Sequence, residues 1–188
     1  THPEAVASFC GMRTIDADGA VLIDADQIAV DGPDDIARRR TGIILPNLVI
    51  RRDVVADVGG FDESLHLAED LDLLLKVSER GPVVFEPRAL VDYRSHGANV
   101  TGRHRELVAA IDTVLRRHRG RAQSPSLVAA FDESIRKNDR FAWWSAGRAA
   151  KARARERRFA AAAGEMWWAL RTAPRGLVDG LVRRARGI

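Results

Sequence analysis

The sequence predicts an α/β domain followed by an α-helical tail. Up to about residue 102, strand-like runs alternate with short helical patterns and with turns rich in Gly and Pro, whereas the later pattern is helical throughout. The charge changes at the same place. Residues 1–102 hold 10 Lys/Arg and 18 Asp/Glu, a net of −8, and residues 103–188 hold 20 and 8, a net of +12, which together give +4. We therefore predict two domains, 1–102 and 103–188.

The composition is that of a globular protein, with 46% apolar and 30% charged residues. The single Cys10 excludes an internal disulfide framework and a cysteine-based zinc site, so a cytoplasmic location is expected. Residues 159–170 come nearest to a membrane span, but they are too few and include Glu165. The chain begins with Thr1 and shows no signal peptide there, so we expect it to be a piece of a longer protein.

In the acidic part, residues 5–15 and 20–23 are predicted to form a hairpin around the turn 16–19. A buried segment follows at 43–50, interrupted by Pro46. Residues 51–60 are typical of a short helix ended by Gly59, and residues 59–65 of a loop. A second helix is predicted over 68–80 from a stripe of leucines. Two short strands, separated by Pro87, are predicted within 83–96.

In the basic part, Leu107, Val108 and Ile111 begin an apolar helical stripe. Ser124 is a candidate N-cap, with Pro125 at the first helical position of a helix over 124–135. Further helices are predicted over 139–171, with a break near Gly164, and over 175–186.

Three carboxylates, Glu69, Asp70 and Asp72, crowd the first turn of the predicted helix 68–80. Negative charge is favoured there by the helix dipole and the unpaired N–H groups. This accounts for Glu69 and Asp72, which the pattern places on the polar, solvated face. Asp70 falls at the edge of the leucine stripe, where an ionised carboxylate could accept a proton from a hydroxyl.

Two DxD-like strings, Asp16-Ala-Asp18 and Asp24-Ala-Asp26, suggest either turns or a divalent-metal site. We favour turns, because Asp bonds its own backbone and Gly19 supplies a positive φ. The histidines show no metal-ligand spacing, and a lone loop histidine such as His96 is most often solvated.

Four ordered segments together resemble the second half of a family 2 glycosyltransferase of the GT-A (Rossmann-like) fold. They are the arginines 51–52, "VGGFDESL" (58–65), "AEDLDLLLK" (68–76) and "YRSHGANVT" (93–101). Residues 1–46 are similar, more loosely, to the strand and hairpin that precede this block in the family. The resemblance implies a partial GT-A domain.

The resemblance also implies roles for particular residues. The family moves a sugar from a nucleotide-diphosphate donor to an acceptor hydroxyl, usually with Mg²⁺ or Mn²⁺. Asp70 would be the catalytic base, supported by Glu69. Arg94 and His96 would lie near the donor diphosphate, with His96 a candidate metal ligand. The acceptor side would be lined by Gly59, Gly60, Phe61 and Asp62.

One part of the family pattern has no counterpart in this sequence: the nucleotide-binding segment and the metal-binding DxD that come first in the family. The chain is therefore expected to supply the acceptor side of an inverting transferase of cell-surface glycan or polysaccharide synthesis, and to be inactive by itself. The competing interpretation is a non-catalytic module that binds a glycan or a partner. A third possibility is a membrane-docking adaptor built around the tail, in which the same carboxylates would be incidental.

The tail combines its net charge of +12 with Trp143, Trp144, Trp167 and Trp168. Arg-rich helices with Trp on the apolar side can lie on an anionic bilayer, and lipid-linked acceptors are common in the family that the chain resembles. The alternative, which we favour slightly, is that these side chains pack the tail onto the first domain. Charge without a binding motif makes nucleic acid a poor candidate partner.

Overall fold

A four-stranded mixed sheet is built around its first strand. The computed structural model describes residues 2–95 and 103–178. Residues 7–9 of β1 pair with both β3 and β4, so these two strands lie on opposite edges of β1. β4 runs parallel to β1, whereas β2 and β3 run antiparallel to it. The strands are β1 (Ala7–Ile15), β2 (Val21–Ile23), β3 (Leu48–Ile50) and β4 (Val83–Arg94).

The predicted hairpin is confirmed, but the prediction of two strands separated by Pro87 is wrong. β4 is one strand whose register shifts opposite Gly11, so that Cys10 pairs with Glu86 and Gly11 with Ala89. The shift leaves Pro87, which has no N–H to donate, outside the ladder. Gly11 permits this close approach, since a Cβ there would lie 3.0 Å from the Arg88 carbonyl oxygen.

Six α-helices have both ends within the described ranges, and a further helical stretch, at 174–178, reaches the end of those ranges. Three are short and lie in the first part of the chain: α1 (Pro33–Ala37), α2 (Arg52–Asp57) and α3 (Glu69–Ser78). The other three form the tail: α4 (His104–Arg119), α5 (Pro125–Arg155) and α6 (Phe159–Thr172). Ser124 caps α5 as predicted, because its hydroxyl accepts a hydrogen bond from the Leu127 N–H at 3.2 Å.

The predicted helix break near Gly164 is wrong. α5 continues for 31 residues, through the expected gap at residues 136–138, and the chain turns at Glu156–Arg158, where Arg157 has a φ of 57°. Gly164 lies inside α6, where one glycine costs only about 1 kcal/mol. The turn allows α6 to fold back so that Glu165 is buried against Arg105 and Arg153. Tertiary ion pairs therefore decide where the break falls.

One hydrophobic core joins the sheet to the tail. Phe9 of β1 and Leu73 of α3 belong to the same buried cluster as Leu115 of α4 and Phe131 of α5. A smaller cluster holds Val108, Ala142 and Ala173. The predicted α/β domain with a helical tail is confirmed, and the core crosses residue 102, where we predicted a domain boundary. Among the described residues, no helix combines the length and apolarity needed to cross a membrane.

Candidate active site

The start of α3 positions Asp70. Ala68 takes the left-handed conformation, with φ 60° and ψ 20°, so that the chain turns sharply into the helix at Glu69. A non-glycine residue in this conformation is uncommon and costs free energy, which the surrounding packing has to supply. The Leu71 N–H donates to Asp70 Oδ1 at 2.8 Å. Glu69 and Asp70 therefore occupy the helix's positive end, as predicted.

Asp70 is a half-buried carboxylate with no cationic partner among the described residues. Burial raises its pKa above the ordinary aspartate value, and the neighbouring charge of Glu69 raises it further. The backbone amides of Leu71 and Asp70 oppose these effects without cancelling them. A carboxylate with a raised pKa holds a proton more readily than an exposed aspartate does, as a general base requires.

Asp72 differs from Asp70 in its exposure, its partners and the direction of its pKa shift. Its predicted place on the solvated helix face is wrong. Its side chain is only 1% exposed, and it lies between His118 of α4 and Lys76 of α3. His118 Nε2 lies 2.8 Å from Asp72 Oδ1, and Lys76 Nζ lies 2.8 Å from Oδ2. Burial would raise the pKa of Asp72, but the bonds to Lys76 and His118 outweigh it and lower that pKa. Asp72 is thus held in place by its partners.

The loop before α3 is fixed by Lys76 and by Arg117 of α4. Gly59 and Gly60 have φ values of 78° and 65°, which favour glycine at both positions. Lys76 Nζ donates to the Gly60 carbonyl at 3.1 Å, and Arg117 of α4 donates to Asp62 Oδ2 at 2.5 Å. Hydrogen bonds from Ser64 and Arg117 lower the pKa of Asp62 to about 2. α4 of the tail therefore holds both the loop and α3.

A cavity of about 950 Å³ opens beside Asp70. Glu69 and Asp70 line it from α3, Thr14 from β1, Tyr93 from β4, and Leu107 from α4. The segment 39–46 and Lys137 of α5 complete the wall, and most of the lining is apolar. A cavity of this size with a few converging polar groups is typical of a small-molecule site.

The sequence of this region matches a known family. The family described as "Glycosyltransferase like family 2" matches residues 16–114, which is more than half of the chain and includes α3, the loop before it and most of α4. The chain belongs to this glycosyltransferase family. The family recognised from the four sequence segments is thereby confirmed, and the match continues past residue 102 into α4.

Two curated relatives share part of this region. They are the Pre-mycofactocin glycosyltransferases of Mycobacterium tuberculosis strains CDC 1551 / Oshkosh and H37Rv. Each is 45% identical over 51 residues, which are 26% of this chain and 11% of the relative. The chain therefore matches about a tenth of the length of these relatives.

The cavity is not lined by the residues predicted to form the acceptor side, Gly59, Gly60, Phe61 and Asp62. Phe61 is 46% exposed, and Asp62 is engaged by Ser64 and Arg117. The loop supports α3 from outside the cavity, and an acceptor role for it stays a prediction.

The predicted donor-side residues fall at the end of β4. Arg94 Nη1 donates to the carbonyl oxygens of Asp16 and Ala17, at 3.0 and 2.6 Å, so it holds the hairpin turn against β4. Its neighbour Tyr93 lines the cavity. His96 lies outside the described residues. The diphosphate-binding roles of Arg94 and His96 stay predictions.

The turn interpretation of Asp16-Ala-Asp18 is confirmed. Asp16 Oδ1 accepts hydrogen bonds from the N–H groups of Asp18 and Ala20 at 2.9 and 2.8 Å. Within residues 2–95 and 103–178, no group of three or more His, Cys, Asp or Glu side chains could hold a metal ion. The described residues do not fit an Mg²⁺ or Mn²⁺ centre, and no chemical step is assigned to a metal here.

Two features of the site gave no signal in the sequence. The Asp72–His118 pair joins residues 46 positions apart, and Arg39, which lines the cavity, bonds to Ser134, 95 positions away. Neither pair forms a local motif. Only the packing of α4 against α3 and of α5 against α1 brings them together.

Proposed function

We propose that this chain forms the acceptor side of a sugar-transfer site, with Asp70 as the general base. The observation that supports the proposal best is the contrast within one helical turn. Asp72 is ion-paired with Lys76 and hydrogen-bonded to His118, whereas Asp70 has no cationic partner among the described residues and lines the cavity. A carboxylate needed only for structure would be paired as Asp72 is.

The proposed reaction is a single in-line displacement with inversion. The acceptor oxygen forms a bond to the anomeric carbon while the bond from that carbon to the donor phosphate oxygen breaks. The hydroxyl proton passes to the Asp70 carboxylate, and the nucleoside diphosphate leaves with the electron pair. Glu69 keeps negative charge beside Asp70 and so raises its proton affinity. The cavity positions the acceptor and limits the access of water.

The donor side is proposed by resemblance to the family. Arg94 and His96 would neutralise the departing diphosphate, and the reaction would depend on Mg²⁺ or Mn²⁺. We also propose that the 188-residue chain by itself does not turn over a nucleotide sugar, because the family's nucleotide-binding segment and metal-binding DxD have no counterpart in this sequence. The test is donor hydrolysis or transfer by the purified chain, and measurable turnover would overturn this part of the proposal.

Membrane-surface contact is a second proposal, supported by the exposed face of α6. Phe159, Met166, Trp167 and Leu170 are exposed at helical spacing, and Trp167 reaches 60%. By contrast, Trp143 and Trp168 pack into the smaller cluster, as the packing alternative requires. Large apolar side chains beside arginines are typical of helices that lie on anionic bilayers.

We therefore propose a cytoplasmic protein that lies peripherally on the inner membrane face, where a glycan or lipid-linked acceptor would be available. Co-sedimentation with vesicles should increase with anionic lipid content and fall when Trp167 and Phe159 are both changed to Ser. Binding that ignores lipid charge would contradict the proposal. If the chain binds the vesicles but Asp70 proves dispensable for transfer, the interpretation as a non-catalytic binding module replaces the interpretation as an enzyme.

The decisive activity test uses the protein that contains this chain together with a donor-binding segment. Asp70→Asn should lower kcat by at least about 10², because general base catalysis contributes typically 10² to 10⁴. The matched control is Asp57→Asn, which removes an exposed carboxylate that pairs only with Arg80 among the described residues. Its kcat should stay within about twofold of the wild type. An unchanged kcat in Asp70→Asn removes Asp70 from the mechanism.

A further inference from the structure

Arg39 enters the cavity in an unusual conformation. It follows α1 with a φ of 50°, in the left-handed region, which is uncommon for a non-glycine residue. Its guanidinium is tied to α5: Nε donates to Ser134 Oγ at 2.9 Å, and Nη2 donates to the Ser134 carbonyl at 3.2 Å. Ser134 is fully buried, so the guanidinium is held on a rigid support at the cavity wall.

The charge of Arg39 is not balanced by any carboxylate of the described residues, unlike that of its neighbours. Arg38 lies within 4 Å of three carboxylates, and Arg40 Nη1 is 2.9 Å from Asp35. Burial lowers the pKa of Arg39 to about 10, so that it is still a cation at neutral pH. Ser134 engages two of the five N–H donors of the guanidinium. Burial of a cation whose N–H donors lack acceptors costs free energy, unless a ligand supplies those acceptors.

The surroundings of Arg39 indicate the chemistry of that ligand. Lys137 reaches the cavity from the same contact between α1 and α5, with Nζ on the Arg38 carbonyl at 2.9 Å and on Glu133 at 3.2 Å. Four acidic residues also line the cavity. Asp35 is paired with Arg40, whereas Asp26, Glu69 and Asp70 have no ion pair among the described residues. The remaining wall is largely apolar.

We propose that Arg39 binds an oxyanion, phosphate or carboxylate, carried on an apolar body, and that this ligand is the acceptor. The guanidinium would hold the anionic group with its free donors in a bidentate arrangement. The apolar wall would take the body of the ligand, and the acceptor hydroxyl would then be presented to Asp70. The role of this ligand as the acceptor rests on the function proposed above. Its binding to Arg39 requires no transfer reaction.

The test is calorimetric binding of three matched probes to the 188-residue chain: octyl phosphate, octanoate and octyl glucoside, each below its aggregation concentration. At least one anionic probe should bind at least tenfold more tightly than octyl glucoside. Arg39→Gln should weaken that binding roughly 10- to 100-fold, the usual effect of losing hydrogen bonds to a charged group, and leave octyl glucoside within about twofold. A tighter octyl phosphate identifies a phosphate, and a tighter octanoate a carboxylate.

The controls separate this site from general effects of charge and folding. Arg38→Gln removes a cation one residue away that does not line the cavity, and it should change octyl phosphate binding less than about twofold. Arg39→Lys keeps the charge but loses the planar fork, so its affinity should be intermediate. This variant takes the place of Arg39→Gln in the test if Arg39→Gln fails to fold. Inorganic phosphate should bind more weakly than octyl phosphate.

Equal binding of the anionic probes to the wild type and Arg39→Gln would overturn the proposal. Octyl glucoside binding as tightly as the tighter of the two anions would also overturn it, as would inorganic phosphate matching octyl phosphate. Asp70→Asn should keep octyl phosphate affinity within about threefold, since it removes a negative charge from the cavity without touching the Arg39–Ser134 contact. A failure of Asp70 as the base and a failure of Arg39 as the anion site are therefore distinguishable.

Discussion

Replacing Asp72 by Ala should destabilise the fold more than any exposed carboxylate substitution. Removal of one partner from a buried ion pair costs about 3–5 kcal/mol. Here the cost should be lower, because Lys76 is 24% exposed and keeps its bond to the Gly60 carbonyl. We expect a loss of about 2–3 kcal/mol in the free energy of unfolding, which lowers Tm by roughly 4–12 °C for a chain of this size.

The measurement is urea and thermal unfolding of the 188-residue chain at pH 7, followed by circular dichroism. Asp72→Asn keeps an acceptor for His118 and should lose less, about 1–2 kcal/mol. Asp57→Asn is the control, since its exposed pair with Arg80 contributes about 0–1 kcal/mol. A loss below about 0.5 kcal/mol in Asp72→Ala would show that α4 does not hold α3 through this contact.

Three further predictions concern stability. The pKa values of Asp62 and Asp72 are lowered in the folded chain. Their contribution to the free energy of unfolding is therefore complete above the unfolded pKa near 4 and is lost as the pH falls through the folded pKa values. Acid titration should show stability declining below about pH 4, and a flat profile would contradict this. Ser124→Ala should cost about 1 kcal/mol by removing the cap of α5, with Ser126→Ala near zero as the control. Glu165→Gln should cost about 2–3 kcal/mol, because this buried carboxylate joins Arg105 of α4 to Arg153 of α5; exchange protection in α6 that equals the wild type would argue against it.

Local patterns were sufficient to predict elements whose ends are set by neighbouring residues. The hairpin turn at Asp16, the start of α3 and the Ser124 cap each depend on contacts within four residues. The continuous β4 and the long α5 were not predictable in this way. β4 continues past Pro87 because Gly11, on another strand, allows a close approach. α5 ends where α6 can bring Glu165 onto two arginines.

The site shows the same division between local and distant causes. The order of the sequence segments was enough to recognise the family, and with it came the proposed role of Asp70. The local pattern placed Asp72 wrongly on the solvated face, because its buried partner, His118, lies 46 positions later, on another helix. The cavity is likewise assembled from separate segments, so Arg39 and Lys137 carried no signal as ligand-binding residues until α5 was packed against α1.

The assignment of different roles to two carboxylates in one helical turn is tested most directly by carbon-detected NMR titration of the aspartates in the 188-residue chain. Asp70 should titrate above the ordinary aspartate pKa, because it is half-buried beside Glu69 with no cationic partner among the described residues. Asp72 should titrate below it, because Lys76 and His118 stabilise its ionised form. A pKa for Asp70 at or below that of Asp72 would contradict both the proposed base and the proposed structural role.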